Sequence, residues 1–295
     1  MARSASVKVE VFADLNADVG EAPHWDERTK TLLFVDLTAG VVFRYDQFGV
    51  KLGSFSVGQE VGVVVPRRDG GLVLAVRDGI ATASDTGEGF ELTAAVERDI
   101  PGNRMNDAKC DPAGRLLAGT TAFDFSPHSA ALYRVEPDWS FEPIVRDVTQ
   151  SNGLAWSPDA SRMYFIDSAT QGVDVFDFDV GTGSAGDRRR LVTVERAHGV
   201  PDGMTTDNRG NLWVACFGGA AVRCYSPAGV QVDEVRFPVA QVTSCTFGGS
   251  GLADLYVTSA AYRLSADQLK REPRAGATFV CRPGAVGTPA SSFAG

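Results

Sequence analysis

Histidine is scarce in this chain: His24, His128 and His198 are the only three among 295 residues. Zinc cages and most imidazole-built metal sites therefore have too few ligands to draw on. Cysteine is almost as thin, and Cys110, Cys216, Cys224, Cys245 and Cys281 are odd in number, widely spaced and free of any CxxC pair. They read as reduced residues on core strands rather than as a disulfide framework. Positive charge is in deficit as well, 28 Lys and Arg against 37 Asp and Glu, for a net charge of −9. That balance argues against nucleic acid or an anionic membrane surface as a partner. The one basic run, Arg188 to Arg190, reads as a solvated loop. No apolar stretch approaches the roughly 20 residues of a membrane span, and the first residues, MARSASVKVEVFADL, lack the apolar core of a signal peptide. A cytoplasmic location is expected.

Several motifs are missing too. There is no GxSxG elbow, no GxxxxGK[ST] phosphate loop and no dinucleotide fingerprint between a strand and a helix, so a serine hydrolase, a kinase or a nicotinamide enzyme is unsupported. Helices are nearly absent; the best candidate is the short SADQLKRE, Ser265 to Glu272.

What the chain does have is 32 glycines and a repeated beat: a turn rich in Asp, Pro and Gly, a short apolar strand, then a second strand that often carries an aromatic. Taking the third residue of each apolar strand, the beat falls at Phe34, Leu74, Ala118, Phe165, Val214 and Val257. The intervals are 40, 44, 47, 49 and 43 residues by subtraction. Six beats of this length, each a run of short strands, match the period of propeller blades. The expected fold is all-β, a six-bladed β-propeller filling residues 1–295 as one domain. The strand VKVEVF, Val7 to Phe12, is expected to pair into the last blade and close the ring, removing the exposed sheet edges.

In a propeller, the loops entering the innermost strands converge on one end of the central channel. Three blades put a ligand-type residue ahead of their turn: Glu21 in VGEAPHW, Asn152 in QSNGLAW and Asp202 in GVPDGM. Each stands five residues before its turn, at Asp26, Ser157 and Asp207, so the three share one height. Singly, each reads as a common polar turn residue; jointly, two carboxylates and an amide oxygen make a hard oxygen site for one divalent cation in the channel. Ca²⁺ is the expected ion, with Mg²⁺, Mn²⁺, Zn²⁺ and Fe²⁺ as alternatives. The third blade offers Asn106 at the same register, five residues before Asp111, with Arg104 and Asp107 beside it. The fork of Arg104 and the donor and acceptor of Asn106 suit a polyhydroxylated or carbonyl-bearing small molecule, the alternative being a surface pair between Arg104 and Asp107. The loop Ala122 to Ala130, which holds Asp124, is a candidate lid over the channel mouth. His24 and His198 are expected near the site, and His128 at the surface.

The segments GEAPHWD, NRMNDAKCDPAGRLLAGT, SNGLAWSPDASRMYFIDS and PDGMTTDNRGNLWVACFGG, followed by TSCTFGGSGLADLYVTSA, resemble in order the signatures of the gluconolactonase/regucalcin (senescence marker protein) family. The resemblance runs from about Val19 to Gly295. It implies a six-bladed propeller with one divalent metal in the channel and a hydrolase that opens sugar lactones. It also implies Glu21, Asn152 and Asp202 as metal ligands, with Arg104 and Asn106 holding the substrate. Two positions depart from the pattern: Ala108 stands where a Gly is usual, and Asp124, also expected to bind the substrate, where several members carry a Glu that touches the sugar. Asp202 is the expected general base as well as a ligand. Alternatives are a hydrolase of other esters or phosphotriesters on the same metal, and a non-catalytic calcium- or sugar-binding regulator; the oligomeric state is not legible.

Overall fold

A computed structural model describes residues 7–295. Six four-stranded antiparallel sheets stand around a central channel as the blades of a β-propeller. Blades 1 to 5 are each continuous in sequence, with inner strands Gly20–Asp26, Val61–Pro66, Asn103–Cys110, Ser151–Trp156 and Val200–Thr206. Blade 6 is composite. Its inner strand is Val242–Gly248, followed outward by Asp254–Ser259 and Thr278–Cys281, and its outermost strand, Val9–Ala13, comes from the other end of the chain. Val9 faces Cys281 and Val11 faces Phe279 across this seam.

Each beat of two strands in the sequence contains four in the fold. The apolar strand that marks the beat, such as Thr31–Asp36 or Leu212–Phe217, is the second of its blade. The inner strand is the polar, Gly- and Pro-containing segment ahead of it, which the sequence presents as a turn. The physical reason is a β-bulge in every inner strand. Ser151 pairs with Asp167 and Leu154 with Phe165, three residues against two, and the same offset separates Pro201 from Met204, Met105 from Ala108 and Val242 from Cys245. An extra residue breaks the two-residue alternation by which a strand is recognised and re-aims the side chain beside it.

The Asp-rich turns close the lower ends of the blades. Asp111 Oδ1 accepts from the backbone N–H groups of Ala113, Gly114 and Arg115 at 2.9, 2.8 and 3.0 Å, and Asp207 Oδ1 does the same for Arg209 and Asn211. Immediately beyond the turns, Leu32, Leu72, Leu116, Met163, Leu212 and Leu255 are all fully buried between blades. Such burial contributes roughly 1.5–3 kcal/mol per side chain. Across the lower face, the C-terminal segment is tied down by Phe293, fully buried, whose backbone exchanges hydrogen bonds with Pro66 and Arg68.

Two local expectations change. Arg188 to Arg190 lie in the outer strand Ser184–Thr193, not in a loop, and pair with Asp174 and Asp177, so they form no free basic patch. The helix is Ala266–Arg271, one residue shorter at each end than SADQLKRE, and starts from a capping box of Ser265 and Gln268. All five cysteines are buried and free. No helix among the described residues is long and apolar enough to cross a membrane.

Candidate metal centre and substrate cavity

At the upper end of the channel the six inner strands each present one residue at a common level. These are Glu21, Gly62, Asn106, Asn152, Asp202 and Thr243, each at or directly after the residue that pairs with the neighbouring strand just before the bulge or register shift: Glu21 itself, Val61, Met105, Ser151, Pro201 and Val242. The five-residue spacing thus sets these residues at one height above the lower turns, at most about 16 Å at ~3.3 Å per strand residue. The site residues sit on the strands themselves rather than on loops entering them. Five of the six carry a functional group, and all five line one cavity of ≈ 440 Å³.

The backbone at this level is held from the next strand out. Asp36 accepts from the N–H groups of Asp18 and Val19 just before Glu21, and Asp167 accepts from those of Thr149 and Gln150 just before Asn152. Ala22 lies in the left-handed region at φ 48°, which turns the strand at Glu21, and its N–H donates to Glu21 Oε2 at 2.8 Å. The glycine after Asn152 has another task than a turn. A Cβ on Gly153 would stand 2.6 Å from the carbonyl oxygen of Asp202, so glycine lets the inner strands of blades 4 and 5 approach.

The amides are fixed by a line of hydrogen bonds across three blades. Arg104 Nη1 donates to Asn106 Oδ1 at 2.7 Å, and Asn106 Nδ2 donates to Asn152 Oδ1 and to the carbonyl of Ser151, both at 2.8 Å. Asn152 Nδ2 then donates to Ser168 Oγ, and Ser168 Oγ to the carbonyl of Pro201, both at 2.7 Å. Because the Asn152 nitrogen is spent on Ser168, its oxygen faces the channel with a lone pair to spare.

The carboxylates are held at high electrostatic cost. Burial pushes the Glu21 carboxyl up to about 8, aided by the charge of Asp107 and opposed by the Ala22 N–H and Arg104. Burial likewise raises Asp202 well above the usual carboxylate range, with Glu21 and Asp107 adding to it. Among the described residues neither is in an ion pair, and no three His, Cys, Asp or Glu side chains gather closely enough to hold a metal without other donors. Two buried carboxylates in need of positive charge, beside an oriented amide oxygen, fit a hard divalent cation; Glu21, Asn152 and Asp202 are the residues that would hold it.

Arg104 is half-buried in the cavity, with Asn106 beneath it. Asp107 is not in a surface pair with Arg104 but buried, its charge felt by both Glu21 and Asp202, with Lys109 as the nearest cation below. Asp124, expected to bind the substrate, instead stands outside the cavity. Its carboxylate is exposed and accepts from Ser126 N and Oγ at 2.9 and 2.6 Å, while its neighbours Phe123 and Phe125 line the cavity. His24 is at the opposite end of the channel, three residues down the strand from Glu21, where burial lowers its ring to about 4. His198 is the last residue of a short 3₁₀ turn, Arg196–His198, outside the cavity lining. Sequence reasoning missed Thr243, Ser168 and the apolar wall of Phe123, Phe125, Val200 and Phe217. Thr243 was within reach of the five-residue rule, since it precedes Gly248 by that interval; Ser168 and the wall carry no such signal.

Fold and site together define a class, the six-bladed β-propeller with an oxygen-rich cluster beneath a cavity at one channel mouth. Within it, this chain belongs to the SMP-30/Gluconolactonase/LRE-like family, whose model matches residues 19–261. It is 40% identical over 296 residues to regucalcin of Danio rerio, covering 99% of this chain and 100% of that one. A luciferin-regenerating enzyme superposes with a TM-score of 0.92 at 35% identity, covering 98% of this chain and 100% of that chain. A calcium-binding regucalcin of Agrobacterium tumefaciens superposes at 0.91 with 24% identity, covering 98% and 97%, a likeness of fold.

Proposed function

We propose that this protein is a divalent-metal-dependent hydrolase that opens a lactone, Ca²⁺ being the expected ion. The observation that carries the reading is the convergence of Glu21, Asn152 and Asp202, two buried carboxylates without a cationic contact and one oriented amide, beneath a small-molecule cavity. Its family includes gluconolactonases by description. A divalent cation bound there supplies electrostatic stabilisation of the oxyanion that forms on a lactone carbonyl under attack. Asp202, on the cavity floor with Glu21 and Asn152, takes the proton from the attacking water and returns it to the ring oxygen as the ring C–O bond breaks. Arg104 and Asn106, locked to each other at 2.7 Å, orient the ring oxygens and supply proximity rather than bond-making.

The test is lactone hydrolysis, followed by pH indicator, on protein stripped of metal and then given Ca²⁺, Mg²⁺, Mn²⁺, Zn²⁺ or Fe²⁺ in turn. Metal-dependent rates well above background are expected. Asp202→Ala should lower kcat by roughly 10³-fold or more and weaken Ca²⁺ binding in calorimetry, whereas Arg104→Ala should mainly raise KM. Near-normal turnover by the Asp202 variant would sink the scheme.

A further inference from the structure

The cavity over the oxygen cluster joins two chemistries. Its floor is polar: Glu21, Asn106, Asn152, Asp202 and Thr243. Much of its wall is not. The loop after Leu116–Ala122 brings Phe123 and Phe125 from blade 3, and blade 5 brings Val200 and Phe217. Phe123, Phe125 and Val200 remain 45%, 41% and 39% exposed, so three large apolar side chains gather at a mouth where water must be displaced by whatever binds. Asp124, the one acid between the two rings, is turned outward and spent on Ser126. The Arg104 guanidinium lies 6.0 Å from the Phe123 ring centroid, which ties this ring to the polar floor below.

A ring with a hydroxyl on nearly every carbon needs a hydrogen-bond partner for each hydroxyl that loses its water. The phenylalanine and valine faces offer none; the polar groups of the wall are Thr38, Glu60, Arg104, Gln150 and Tyr262. We propose that the substrate carries an apolar arm, an alkyl substituent on the lactone ring, that packs against Phe123, Phe125, Val200 and Phe217 while the ester end rests on the floor. This rests on the hydrolase reading and narrows it from sugar lactones to alkyl-substituted lactones. The ≈ 440 Å³ cavity lies within the range of ~300–1,000 Å³ usual for small-molecule sites.

The experiment is calorimetric titration of the full chain loaded with Ca²⁺, using 6-alkyl-δ-lactams from methyl to hexyl as non-hydrolysable probes beside gluconolactam. Turnover of the matching lactones is measured in parallel. The expected result is a Kd that falls roughly fourfold per added methylene, with the hexyl lactam tighter than gluconolactam. In Phe123→Ser and in Val200→Ser the gain per methylene should shrink toward onefold; both positions are exposed, so folding is retained. A flat series, or gluconolactam binding tighter than the hexyl lactam, overturns the apolar arm even where lactones are hydrolysed. A rising series without turnover of any lactone upholds the arm and overturns the hydrolase reading instead.

Discussion

Ser168 is uncharged and lies one strand behind the cluster, yet it sets the direction of Asn152. Its Oγ accepts a hydrogen bond from the Asn152 amide and donates one to the carbonyl of Pro201, joining blades 4 and 5 immediately before Asp202. Ser168→Ala should free the Asn152 amide to rotate and weaken Ca²⁺ affinity by roughly 10–100-fold, as loss of a group that orients a ligand commonly does. Titration with and without the substitution reads this directly, and an unchanged affinity would separate Asn152 from the metal. His24 gives a different residue-scale prediction. Its folded value, about 4, lies below the 6.5 of the free side chain, so the unfolded chain binds the extra proton between those values. Stability is then full above about pH 6.5 and declines as pH falls toward 4, by at most ~1.4 kcal/mol per pH unit from this residue. Denaturant melts at stepped pH should show this slope, shallower in His24→Gln.

At the scale of the strand, the bulge and the glycine matter more than propensity. Gly62 occupies in blade 2 the level that carries a functional group in the other five blades. A Cβ there would lie 1.9 Å from the carbonyl oxygen of Asn106, so the blade that gives no functional group at this level gives the room for blade 3 to advance Asn106. Gly62→Ala should force those strands apart, costing roughly 1–3 kcal/mol and lowering Tm by several degrees. Gly53→Ala, where no atom lies within 4 Å, should leave Tm within about 1 °C and serves as the control. Equal melting of the two variants would remove the close-approach argument.

At the scale of the whole ring, the candidate ligands come from blades 1, 4 and 5, so a cation would clamp blades far apart in sequence. An ion that binds the closed ring but not the unfolded chain stabilises it by mass action, about 2.7 kcal/mol at a hundredfold excess over Kd. Scanning calorimetry should therefore show Tm rising by roughly 5 °C from chelated to Ca²⁺-saturated protein, and more with further Ca²⁺. The opposite mouth of the channel is closed differently, by the C-terminal segment and the fully buried Phe293, whose ring lies 4.8 Å from that of Trp139.

Spacing along the chain was enough to count the blades and to set the height of Glu21, Asn106, Asn152 and Asp202, because a strand converts residue number into distance at a fixed rise. Composition was enough to make the cysteines buried and reduced. Which way each side chain faces was decided only in the tertiary structure. His24 and Glu21 share one strand but lie at opposite mouths, and Asp124 yields the cavity to Phe123 and Phe125 because Ser126 captures its carboxylate. Facing depends on bulges and on neighbouring strands contributed from elsewhere in the chain, and a linear pattern holds no record of either.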